Sequence, residues 1–222
     1  MRTILLSFIC LFSFTVGTYA QTDSLKTKEA QRYILKIAPT INFNFATSKK
    51  ARAHNYYPSN FNTGLNINFL LKNKTNNYHD FGAIIQFLPN TNKRLASKTF
   101  FGNRIGIEYS YRIVKYAKKK SNFGFFTAFG TQLLFTKMEG QNLDYPTKTT
   151  TRIIEQNITV TPGIQYSKNK FFLDFSVPTA IGYAHSSAKY INNNNIYLQE
   201  FNQNYNLFNW NIGFNLGIGV KF

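Results

Sequence analysis

Ionisable residues recur on the polar face of segments of alternating polarity: Lys36, Arg104, Glu108, Arg112, Glu155, Asp174 and Lys221. Such a set can do one of two things. Confined to a narrow space, cations and anions pair, because an isolated charge out of water is very costly. Spread along a wetted path, they gate ions. A second group, Ala184-His185-Ser186-Ser187 with Glu200 further on, offers an imidazole, hydroxyls and a carboxylate. A third consists of cations in polar segments: Lys49, Lys50, Arg52, Lys93, Arg94, Lys98, Lys148 and Lys189. These can donate charge-assisted hydrogen bonds to lipid phosphate, or stay solvated.

Other chemistries are excluded. His54, His79 and His185 are well separated, and no dinucleotide, phosphate-loop, zinc or calcium spacing occurs. Cys10 is the only cysteine and lies in an apolar leader. No metal and no cofactor is expected.

The elements that must position these residues read as strands, in which alternate residues share a face. In Tyr33–Phe45, Leu35, Ile37, Ile41 and Phe43 oppose Lys36, Ala38, Thr40 and Asn42. In Phe61–Leu71, Leu65, Ile67 and Phe69 oppose Gly64, Asn66 and Asn68; in Phe81–Pro89, Ile85 and Phe87 oppose Gln86. Between Phe101 and Ile113, Ile105, Ile107 and Tyr109 oppose Arg104, Gly106 and Glu108. Phe123–Phe135, Ile154–Tyr166, Phe171–Tyr183 and Phe208–Phe222 repeat the pattern. The chain therefore has eight segments, each of the roughly 9–11 residues that a tilted membrane strand needs. Longer connections (Ala46–Asn60, Asn90–Lys98, Glu139–Thr150, His185–Asn204) alternate with short ones (Lys72–Asn77, Lys115–Asn122, Ser167–Lys170). That is the loop pattern of an outer-membrane barrel with both termini in the periplasm.

A soluble lipocalin-like barrel shows the same periodicity with its faces reversed. The chain has 23 Phe and 14 Tyr, and those on the apolar face are too bulky to fill a narrow interior, whereas Gly, Ala, Ser and Asn opposite suit one. Aromatic residues also gather near strand ends, as an interfacial girdle does.

The address agrees. Met1-Arg2-Thr3, an apolar run from Ile4 to Val16, and Gly17-Thr18-Tyr19-Ala20 form a secretory signal with cleavage expected before Gln21. The formal charge of +17 would otherwise suggest nucleic acid. Export excludes that partner and makes a phosphate-rich lipid surface the anionic neighbour.

The C-terminal Gly217-Ile218-Gly219-Val220-Lys221-Phe222 resembles the assembly signal of outer-membrane barrels, with Ile218, Val220 and Phe222 as its alternating residues. With the signal peptide, the chain resembles the small outer-membrane β-barrels that include OmpX and the OmpA membrane domain. That resemblance implies location, architecture and passage through the barrel assembly machinery, not activity. The end of the seventh segment also resembles outer-membrane lipid A deacylases of the PagL type. This second resemblance implies His185 as base, Ser187 as nucleophile and Glu200 as the group orienting the imidazole. The chain departs from that pattern at Ala188, where Asn follows the serine.

The expectation is an all-β, eight-stranded antiparallel up-and-down transmembrane barrel over residues 33–222. Residues 1–20 form the signal peptide and 21–32 a periplasmic segment. The expected role is non-enzymatic: a Gram-negative envelope protein, structural or surface-interacting, with a plugged polar lumen and basic extracellular loops. Its expected partners are outer-membrane lipid, including lipopolysaccharide, and the assembly machinery. A lipid A deacylase and a narrow, porin-like pore are the alternatives.

Overall fold

The computed structural model describes residues 33–46, 61–73, 75, 77–88, 98–117, 121–142, 147–192 and 200–222. The leader and the segment 21–32 lie outside them, as do His54, Lys49, Lys50, Arg52, Lys93 and Arg94.

The strands are β1 (Tyr33–Ala46), β2 (Phe61–Lys72), β3 (Tyr78–Leu88), β4 (Lys98–Tyr116), β5 (Phe123–Asn142), β6 (Thr147–Lys168), β7 (Phe171–Ser176), β8 (Thr179–Asn192) and β9 (Glu200–Lys221). Each pairs antiparallel with its neighbours, and β9 pairs with β1, which closes the ring. β7 and β8 are successive lengths of one stave, so the barrel has eight.

The sequence reads that seventh stave as unbroken; the structure interrupts it at Val177-Pro178. Proline has no N–H to give a ladder. Register survives the break: Ser176 faces Gly163 and Asn215, while Thr179 faces Val160 and Ile212. Val177 N still donates to Pro162 O (2.9 Å), and Gly213 N to Pro178 O (2.8 Å). Pro39 similarly interrupts the β1–β9 ladder between Ile37↔Ile218 and Thr40↔Asn215.

Stepping across paired residues from Tyr33, the path runs through Leu71, His79, Tyr111, Phe129, Val160, Thr179 and Ile212. It re-enters β1 at Phe43, ten residues on. A stagger of that size over eight strands tilts them by about 40° and gives a radius of about 8 Å. Such an interior holds side chains and little else.

The faces are unambiguous. Ile158 (71% exposed), Phe208 (62%) and Phe87 (59%) point outward, whereas Arg104, Arg112, Glu155 and Asp174 are buried within. This is the reverse of a lipocalin, and it removes the soluble alternative.

Several strands run further than the alternation indicates. β5 extends to Asn142, β6 begins at Thr147, β8 reaches Asn192 and β9 starts at Glu200, so much of two expected loops is sheet. At that end the outward residues turn polar (Lys137, Arg152, Ser187, Asn204), and the hydrophobic contrast that marks a strand fades. At the opposite end the reversals are tight. Asn73 Oδ1 accepts from the N–H groups of Thr75 (2.9 Å) and Asn77 (3.0 Å). Asn169 takes a positive φ of 50°, which asparagine tolerates well.

Candidate functional site

Inside the ring the side chains form a stack. At the turn end Ile34, Leu70, Tyr78 and Phe172 pack together with Val114 against them. At the loop end Leu88, Met138, Ile153, Ala184, Ala188 and Leu207 form a second apolar cluster. The buried ion pairs lie between these two caps.

Just above the lower cap, two cations and two carboxylates interlock. Arg112 Nη1 lies 2.7 Å from Asp174 Oδ2 and Nη2 lies 3.1 Å from Asp80 Oδ2. Lys36 Nζ reaches the same two oxygens, at 3.3 Å and 3.8 Å. The Arg112 guanidinium stacks on Phe126, 3.9 Å from the ring centre. This cation–π contact covers a face that water cannot reach. Glu108 joins the group through Asn68, whose Nδ2 donates to Glu108 Oε1 (2.7 Å) and Asp80 Oδ1 (2.8 Å). Gln132 Nε2 donates to the other Glu108 oxygen at 3.0 Å.

The upper layer is centred on Arg104 and Glu155, 2.7 Å apart and both essentially unexposed. Arg104 also donates to Thr136 Oγ1 (3.0 Å), Asn44 Oδ1 (3.2 Å) and Gln86 Oε1 (3.3 Å). Asn209 Nδ2 donates to Glu155 Oε2 at 2.6 Å. Between the layers lies a polar cavity of about 30 Å³ lined by Asn42, Asn66, Gln86, Asn211 and Asn215 among others. It has room for a water or two.

The lumen residues thus fall into two groups. Lys36, Arg112 and Asp174 meet directly and Glu108 adjoins them; Arg104 and Glu155 pair separately. Lys221 stays at the half-exposed rim. Asp80 escapes a sequence reading that begins the third segment at Phe81; continuing the parity one step below Gly82 finds it. Gly82 leaves room for this group: a Cβ there would sit 2.6 Å from Asn68 Nδ2 and Glu108 Oε1.

The other candidate group faces outward. His185 is exposed on β8, and its Nδ1 lies 2.8 Å from Asn206 Oδ1 on β9. The register pairs His185 with Asn206 and Glu200 with Ile191. Glu200 therefore stands six residues beyond Asn206, about 20 Å along the strand. An amide, not that carboxylate, meets the imidazole. Ser187 lies on the same face, paired with Asn204 and Arg152.

The assembly-signal residues also face outward, at 53% (Ile218), 49% (Val220) and 61% (Phe222) exposure. They lie beside Leu173 and Ile37, Phe171 and Leu35, and the Tyr33 backbone respectively.

Neither the protein-family models nor the curated proteins give a match to this sequence. Among solved structures, the attachment invasion locus protein Ail of Yersinia pestis is similar in arrangement. It is 9% identical with a TM-score of 0.49, and the likeness covers 87% of this chain and all of Ail. Neisserial surface protein A is 13% identical with a TM-score of 0.44, over 86% of this chain and 97% of that one. Both are small outer-membrane barrels of eight strands, the class that the C-terminal motif resembles. At these values the likeness is one of arrangement and says nothing of what the chain binds.

Proposed function

We propose that this chain is an outer-membrane barrel with a closed interior, exported by a signal peptide cleaved after Ala20, that acts as a structural and surface-presenting element. The observation that carries the reading is the inverted sheet: an outer band of Phe, Ile, Leu and Val around a charged lumen capped by apolar clusters at both ends. An apolar band of that height needs hydrocarbon around it, and a closed sheet satisfies every backbone group there.

The interior favours a plug over a pore. Ions crossing it would have to push aside both apolar caps and both interlocked ion-pair layers. A cavity of about 30 Å³ lies between those layers. Loop-end cations, of which Lys189 is described and exposed, supply a basic surface for lipopolysaccharide or an extracellular partner. Fractionation with heat-modified gel migration tests the reading: recovery in the outer membrane and a shift on boiling are expected. Soluble recovery with unchanged migration would reject it.

A further inference from the structure

Among the described residues, the outward-facing cations of the loop end lie on β5, β6 and β8. A strand tilted by about 40° rises about 2.5 Å per residue, and each step to the next strand adds about 3 Å. On that scale Lys137 (β5), Arg152 (β6), His185 (β8) and Asn206 (β9) fall within about 5 Å of one height. All four are exposed. On β1–β4 the described outward side chains nearest that height are Phe45, Phe61, Phe87 and Asn103.

Each cation stands directly above apolar surface. Phe135 (42% exposed) precedes Lys137 by two residues, and Ile154 follows Arg152 by two, on the same faces. Lys137 and Arg152 are themselves cross-strand partners. With Ile105 and Glu139 they line an open depression of about 610 Å³ between β4, β5 and β6. A free anion would use the cations and leave the apolar floor idle. An anionic amphiphile would use both.

We propose that this belt binds the phosphorylated sugar headgroup of an outer-leaflet glycolipid. The inference rests on the outer-membrane reading and deepens it. Lys137 and Arg152 hold a phosphate by charge-assisted hydrogen bonds, and an acyl chain descends over Ile105, Phe135 and Ile154. The Lys137–Glu139 pair (2.8 Å) is no obstacle, because an ion pair at the surface is weak and the Lys137 side chain is 61% exposed. Arg152 has no ion-pair partner among the described residues. The width of the belt selects a sugar over a compact phosphodiester. At constant height strands are about 6 Å apart, so four span about 19 Å. The two-thirds of that width beyond Arg152 carries the hydrogen-bonding pair His185 and Asn206, which suit hydroxyl and amide groups.

The test is native mass spectrometry of the full barrel released from detergent, offered three lipids: a bisphosphorylated acylated disaccharide, its dephosphorylated form, and phosphatidylglycerol. The wild type is expected to retain the bisphosphorylated lipid selectively. The double variant Lys137→Gln/Arg152→Gln should lose affinity on the order of tenfold or more, and Arg152→Lys should keep some of it. Lys115→Gln, an exposed cation at the turn end, should change nothing. Heat-modified migration shows that each variant is folded; should the double variant not fold, Arg152→Gln alone decides. Equal retention by a folded charge-removal variant overturns the site, as does equal retention of the dephosphorylated lipid or of phosphatidylglycerol. In those cases outer-membrane recovery leaves the parent reading intact, whereas soluble recovery of the wild type removes both.

Discussion

Phe222 and Tyr33 exchange two backbone hydrogen bonds: Phe222 N donates to Tyr33 O at 2.9 Å, and Tyr33 N to Phe222 O at 3.3 Å. The last residue is therefore the final rung of the closing seam, and its exposed ring extends the apolar band. That seam already lacks pairing beside Pro39. Deleting Phe222 is expected to reduce the heat-resistant folded fraction in the outer membrane several-fold. Deleting Ser121 at a turn should leave it near wild type. Quantitative gels of membrane fractions check this, and equal folded fractions would show that the terminal rung is dispensable.

The Arg104–Glu155 pair should behave as a buried ion pair does. Glu155→Ala leaves a buried guanidinium without its anion, a loss of about 3–5 kcal/mol. The midpoint of denaturant unfolding in detergent should fall accordingly. Replacing both partners, as Arg104→Met/Glu155→Leu, removes the desolvation cost along with the attraction. The double variant should recover most of the loss. If it is no more stable than Glu155→Ala, the pair is not the source of the effect.

Glu108 is the midway acidic group of the lumen, held by Asn68 and Gln132. If the interior is a plug, Glu108→Ala loosens packing without creating a path. Purified wild type in planar bilayers should show no steady conductance. The variant should show a lowered unfolding midpoint, by about 1–3 kcal/mol for lost hydrogen bonds to a half-buried carboxylate, and no defined channel. Reproducible ion-selective currents from the wild type, altered by this substitution, would establish a pore.

Much of this architecture is legible without coordinates, because a period of two assigns faces wherever one face meets hydrocarbon. Leu35, Ile37 and Ile41 opposite Lys36, Ala38 and Thr40 suffice for β1. Parity cannot see the break at Val177-Pro178, since register continues through it. Nor does it reveal the caps: Ile34, Leu70, Tyr78 and Phe172 share parity with the polar set, and an apolar residue on a polar face looks like noise. Pairing across the lumen is a property of register and stagger. Arg104 meets Glu155 across 51 positions of sequence, and His185 meets Asn206 instead of Glu200. No local pattern distinguishes those outcomes.

The His185 arrangement bears on the enzymatic alternative. Acyl hydrolysis by serine needs a base at the hydroxyl and a group on the far ring nitrogen that stabilises the imidazolium as it forms. Here that nitrogen, Nδ1, lies 2.8 Å from Asn206 Oδ1. The amide can fix the ring's orientation but has no charge to offer the cation. Glu200, the carboxylate suggested by sequence, pairs in register with Ile191, about 20 Å along β9. Ala188 adds no side-chain donor for an oxyanion. Ser187→Ala is therefore expected to leave lipid A acylation unchanged in cells overproducing the protein, as read by mass spectrometry of extracted lipid A. Asn206→Asp is the more searching variant, because it supplies the missing charge at the observed hydrogen bond. It too should release no acyl chain. Release of a fatty acid by the wild type that Ser187→Ala abolishes would make this barrel a hydrolase, with Asn206 as its orienting residue.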